Sequence, residues 1–217
     1  MKVHGSSAFS RTELLVTTAI ILGLLILLLP ALVKVGDRRS HRCMKNLKHV
    51  GIAFQEFAND HSKRFPMQVS TNEGGSLEYV LIGDLSPHFR SISNAVPVSV
   101  LHCPFNPKRT AVARWDDLKD EDISYFLGVD AQSGDPLSIL AGDVTLEGYA
   151  LEIGKMFSWG SGINITWQKD SHRVHTRPWR RKGGNLLFAD GSVHFLNDRG
   201  LRAAVKQSVL TNRVIMP

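Results

Sequence analysis

The chain has 217 residues, 43% hydrophobic and 21% charged, with a formal net charge of +6. This composition excludes a disordered or collagen-like chain and leaves, after roughly the first 40 residues, enough for one folded domain. The basic excess gathers in two stretches, "KVGDRRSHRCMKNLKH" and "SHRVHTRPWRRKGG". No zinc-finger spacing, RNA-recognition aromatic motif or helix-turn-helix accompanies them, so nucleic acid is not an expected partner.

The first element is an apolar run from Leu14 to Val33, interrupted only by Thr17, Thr18, Gly23 and Pro30. At about 1.5 Å per residue it reaches roughly 30 Å, the thickness of a bilayer's hydrocarbon core, and it predicts a single membrane helix. No A-x-A site follows it, so it reads as retained rather than removed as a secretory signal. One carboxylate, Glu13, stands at its mouth. The basic stretch that follows suits anionic headgroups beside the span.

Met44, Leu47, Val50, Gly51, Phe54, Phe57 and Ala58 then recur at steps of three and four, with Lys45, Lys48, His49, Gln55, Glu56 and Asn59 around them. This predicts an amphipathic helix over 34–64 that continues the membrane helix as one stem and stops before Pro66. Two helices broken near Pro30 or Gly36 would have the same topology. From about Met67 the pattern changes to loops and short β-like pieces: "SVLHC", "ISYFLGV", "LSILAGD" and the alternating "GINITWQ". The clearest is "GGNLLFADGSVHFL", two β-prone runs joined through Asp190-Gly191. "DRGLRAAVKQSVL" predicts a helix with Leu201, Ala204, Val205 and Val209 on one side. The expected fold class is α+β, a membrane-rooted helix packed on a small antiparallel sheet.

With these residues in view, the chain resembles the type IV prepilin-like proteins, specifically the pseudopilins of type II secretion. The resemblance rests on an N-terminal signal in which a short leader ends in a small residue, an aromatic residue follows, and a Glu stands fifth before the apolar helix. Counting Phe9 as first makes Glu13 fifth, with Ala8 before the cut. "PALVKVGDRRSHRCMKNLKHVGIAFQEFANDHSKRFP", "LHCPFNPKR", "ISYFLG", "LAGD", "GGNLLFADGSV" and "NRVIMP" are similar to later blocks of a bacterial subgroup. Ala8 stands where the family usually has Gly, Ser10-Arg11-Thr12 where it has a more apolar triplet, and Arg180 where the subgroup often has a His.

The resemblance implies a pilin-like division: leader 1–8, transmembrane helix 9–33, amphipathic stem 34–64 and globular domain 65–217. It implies cleavage between Ala8 and Phe9 by a prepilin peptidase, N-methylation of Phe9, and assembly with other pseudopilin subunits on an inner-membrane platform. Glu13 would compensate the neighbouring subunit's cationic amine, since an unpaired charge in an apolar core is costly. The protein would be a single-pass inner-membrane subunit with its domain periplasmic or extracellular. It would be neither an enzyme nor a holder of metal or cofactor.

In that compartment a Cys43–Cys103 disulfide is expected, with two independently buried thiols as the alternative. The Lys and Arg distribution about the span, Lys2 and Arg11 before it against Lys34, Arg38, Arg39, Arg42, Lys45 and Lys48 after it, points the other way. It supports a rival reading: a signal-anchor protein whose basic cytoplasmic domain binds anionic lipid or nucleic acid. The remaining constellations carry no chemistry. Asp116, Asp117, Asp120, Glu121 and Asp122 lack the alternation and glycine of a calcium loop. His172 with His175, and His102 beside Cys103, lack the partners of a metal site, and no nucleophile motif occurs.

Overall fold

The computed structural model describes residues 10–33, 38–104, 106, 109–147, 156–158, 165–168, 183–208 and 213–217. The chain divides into two compact units, Met1–Arg38 and Arg39–Pro217.

The first unit contains helix α1, Arg11–Val33, 23 residues that continue through Pro30. Its side chains are described from Arg11 to Ile26, and every one is exposed, with Leu14, Leu15, Ile20, Ile21, Leu24 and Leu25 between 54% and 68%. Thr17 and Thr18 turn their hydroxyls back on the helix. Thr17 Oγ1 donates to the carbonyls of Glu13 and Leu14 at 2.9 and 3.0 Å, and Thr18 Oγ1 to those of Leu14 and Leu15 at 2.9 and 3.0 Å. Such back-bonding satisfies a hydroxyl without water. Among the described residues, in which the side chains of α1 end at Ile26, no helix is long and apolar enough to cross a membrane.

The second unit mixes helices with an antiparallel sheet. Helix α2, Arg38–Asp60, buries Cys43, Leu47, Val50, Ala53, Phe54 and Ala58. Its end is marked by Ser62 and Lys63 at φ 56° and 64°, where the Lys63 amide donates to the Ala58 carbonyl at 2.7 Å and closes the last turn. Two short helices follow, α3 (Leu77–Val80) and α4 (Ser86–Arg90). They belong to a lobe in which Phe54 meets Phe65 and Phe89 edge to face, with centroids 5.9 and 5.8 Å apart. "SVLHC", read above as β-like, is instead a 3₁₀ turn over Val98–Leu101. Pro97 precedes it, and Val98, Val100 and Leu101 are buried.

The sheet has six strands: β1 Tyr125–Gly128, β2 Ile139–Asp143, β4 Met156–Ser158, β6 Gly184–Phe188, β7 Val193–Leu196 and β8 Arg213–Ile215. Their order is β4-β8-β1-β2-β6-β7, and every pair is antiparallel. A two-stranded ribbon joins β3 (Leu146–Glu147) to β5 (Thr166–Trp167). Helix α5, Asp198–Gln207, starts at Asn197, whose Oδ1 accepts the Gly200 amide at 2.9 Å.

Both sheet faces are covered, and every residue of β1, β2 and β6 is buried, Asp143 and Asn185 included. Tyr125, Leu127, Ala141, Leu187 and Ile215 pack in the core with α2. Phe126, Ile139, Leu186, Phe188 and Val214 pack with Leu201 and Ala204 of α5 and with Trp167. A register shift between Ile139 and Ala141 bends β2. Gly51 lets α2 approach β6 closely: a Cβ there would stand 2.7 Å from Leu187 Cδ1.

The β6–β7 hairpin differs from a two-residue turn of left-handed residues. Only Gly191 has positive φ (86°). Its amide donates to the Phe188 carbonyl at 2.9 Å, and the Phe188 amide donates to the Ser192 carbonyl at 2.9 Å. This is a three-residue loop closed by a bulge glycine. Asp190 Oδ1 accepts the Ser192 amide at 2.8 Å, which accounts for the aspartate conformationally.

Candidate functional site

The N-terminus of α1 is where the sequence placed its processing and assembly residues. Ala8 and Phe9 lie outside the described residues. Glu13 is exposed and sits in the helix's first turn. The Ser10 amide donates to Glu13 Oε2 at 2.9 Å, and the Glu13 amide donates to Ser10 Oγ at 3.3 Å. The Leu14 amide donates to the Ser10 carbonyl at 3.1 Å. Ser10 is therefore the helix N-cap and Glu13 its reciprocal partner, a capping box that satisfies two amides otherwise lacking an intrahelical acceptor. The carboxylate also lies at the positive end of the helix dipole. The sequence marks Ser10 only as part of a departing triplet, although Ser-x-x-Glu before an apolar run is a recognised helix-start signal.

Charge compensation and capping use the carboxylate differently. Capping needs an acceptor oxygen, which glutamine also supplies. Compensation of an amine needs the negative charge. The two roles are separable by substitution.

The two cysteines are joined. Cys43 of α2 and Cys103 have their sulfurs 2.09 Å apart and their Cα atoms 5.3 Å apart, across a sequence separation of 60. Both are buried. Neighbouring bonds hold the second strut: Ser124 Oγ accepts the Cys103 amide at 2.9 Å, and Asn46 Nδ2 donates to the His102 carbonyl at 3.1 Å. Helix α2 is thus tied covalently to the segment that leads into β1.

The sequence blocks "LAGD" and "GGN" meet across β2 and β6. Asp143 Oδ2 accepts the Asn185 amide at 2.6 Å and its Nδ2 at 2.9 Å, with both residues buried. Tyr125 is paired with Asp143 in the sheet register, and burial first, then the Asp143 charge, pushes its phenol well above the ordinary range. Gly184 receives the Trp167 ring: a Cβ there would lie 2.3 Å from the indole. These motifs serve the sheet's packing and the hydrogen bonding between β2 and β6.

The acidic stretch is also committed to structure. Asp120 accepts the Leu85 and Ser86 amides at 2.8 and 2.7 Å at the start of α4, Asp122 accepts the Lys119 amide at 3.0 Å, and Asp116 pairs with Arg114 at 3.0 Å. Among the described residues no group of three His, Cys, Asp or Glu side chains is placed to hold a metal ion. His102 Nε2 lies 3.2 Å from the Arg109 carbonyl oxygen, while His172, His175 and Arg180 lie outside the described residues. His88, which the sequence did not single out, is fully buried, its Nδ1 2.7 Å from Ser76 Oγ. Burial lowers its pKa to about 4, against a smaller opposing pull from Asp120.

Compared with known proteins, the chain matches no protein-family model, no curated protein and no solved structure.

Proposed function

We propose that this chain is a pseudopilin-like structural subunit, anchored in a bacterial inner membrane by α1. A prepilin peptidase cuts it between Ala8 and Phe9 and methylates the new amine. It then assembles through α1, with other subunits, into a type II secretion or type IV pilus-like apparatus. Its domain lies on the periplasmic or extracellular side, and its function is mechanical rather than catalytic.

The observation that carries the reading is the surface of α1. From Leu14 to Ile26 its apolar side chains are exposed around the whole circumference, its two hydroxyls are satisfied internally, and its one acidic group is Glu13 in the first turn. A helix apolar on every side needs a surrounding of lipid or other helices. The apolar sequence continues from Leu27 to Val33 inside the same helix, whose 23 residues correspond to about 34 Å. Glu13 is then the one acidic group available to compensate a neighbouring subunit's amine.

The signal-anchor reading is favoured by one observation, the excess of Lys and Arg after the span. The Cys43–Cys103 bond favours an oxidising compartment instead. A reporter active only outside the cytoplasm, fused after Pro217, separates the two: activity supports the pseudopilin reading, and an inactive but stable fusion overturns its topology.

A further inference from the structure

The outward face of α2 carries charges arranged against the interest of the helix itself. Arg42, Lys45, Lys48 and His49 occupy the exposed side of its first half, Ile52 follows at 54% exposure, and Glu56 and Asn59 end the same side. A helix favours anions at its N-terminus and cations at its C-terminus, and α2 has no acidic residue in its first turn and no basic residue in its last. Nor are the cations used inside the protein: among the described residues Arg42, Lys45 and Lys48 have no ion-pair partner. The opposite face of the same turns is fixed in the core by Cys43, Leu47 and Val50, so the basic face cannot rotate inward.

We infer that this face binds the anionic headgroups of the bilayer that holds α1. The inference rests on the membrane reading of α1 and assigns the headgroup contact to particular residues of α2. Two observations favour lipid over other anionic partners. Helix α2 begins after four intervening residues beyond Val33, so its basic turns are tethered through a short stretch of chain to whatever holds α1. The cations are also confined to the turns of α2 nearest that tether along the chain, Arg42 to Lys48, and give way to Glu56 further on, which matches an attraction that acts only within about a Debye length.

The full chain is reconstituted in nanodiscs of phosphatidylcholine alone or with phosphatidylglycerol, and lysine acylation is followed by peptide mass spectrometry. Lys45 and Lys48 should react roughly three-fold more slowly in the anionic discs, the proton enrichment expected at a leaflet of physiological anionic content. Added salt should abolish the difference, while exposed Lys119 and Lys206 serve as internal references. Equal rates in the two lipids, with the chain incorporated, would overturn the headgroup inference and leave the membrane reading standing. Protection independent of lipid but dependent on protein concentration would assign the face to a second copy and overturn it too. Failure of the chain to enter either disc would remove the membrane reading and this inference together.

Discussion

Ser10 and Glu13 cap the start of α1 reciprocally, each accepting the other's backbone amide, at 2.9 and 3.3 Å. The capping bonds run between side chains and the amides of residues 10 and 13, so a cut between Ala8 and Phe9 would leave both donors in place.

This arrangement separates two effects of one carboxylate. Glu13→Gln should retain most of the cap, because glutamine also serves at that position, while removing the charge. Ser10→Ala should weaken the helix start by about 1 kcal/mol while keeping the charge. On the proposed function, Glu13→Gln inserts in the membrane but fails to co-assemble with wild type, and Ser10→Ala assembles. Co-purification of tagged subunits from crosslinked membranes reads both. Equal loss in the two variants would assign Glu13 to capping alone.

The Cys43–Cys103 link should be fully formed in protein isolated from membranes under alkylating conditions and mapped without reduction. Closing about 60 residues contributes on the order of 4 kcal/mol on a chain-entropy estimate. Cys103→Ser should therefore lower the urea midpoint of the domain substantially, and reduction of the wild type should reproduce most of that loss. Two free thiols in the native protein would contradict the bond.

His88 makes stability depend on pH in a defined direction. Its folded pKa, about 4, lies below the ordinary 6.5, so the unfolded chain takes up the proton first. The stabilisation from keeping His88 neutral is complete above about pH 6.5 and is lost as pH falls from there toward 4. Between pH 7 and pH 5 the loss is on the order of 2 kcal/mol. Urea midpoints measured against pH for wild type and His88→Gln test this by slope: the variant's curve should be flatter across that window. Parallel curves would show that His88 does not carry the acid response.

Gly184→Ala should destabilise the domain by about 1–3 kcal/mol, because the added methyl meets the rigid Trp167 indole, whose side chain is fully buried. Calorimetry should show a lowered melting temperature. An unchanged Tm would mean that Trp167 can be displaced without cost.

The spacing of Leu47, Val50, Phe54 and Ala58 was enough to place α2, because helical periodicity survives when one face packs on a sheet. β1, β2, β6 and β7 were legible by existence but not by environment. β2 and β6 are apolar at nearly every position because α2 covers one face and α5 with Trp167 the other, and a short apolar run does not say how many layers surround it. β8 was invisible as a strand. "RVI" is three residues long and owes its conformation to pairing with β1 and β4 on its two sides, a tertiary effect with no local signature. At the candidate site, Glu13 stood out as a lone carboxylate before an apolar run. Its partnership with Ser10 was equally written in the spacing, but a search for charge overlooks a neutral hydroxyl.

The most direct test of the account is the N-terminus of the protein taken from the membrane of cells with an active prepilin peptidase. Mass spectrometry should find a chain that begins at N-methylated Phe9, with residues 1–8 removed. An intact Met1, or a start at any other position, would contradict the proposal that this chain is a processed pseudopilin-like subunit.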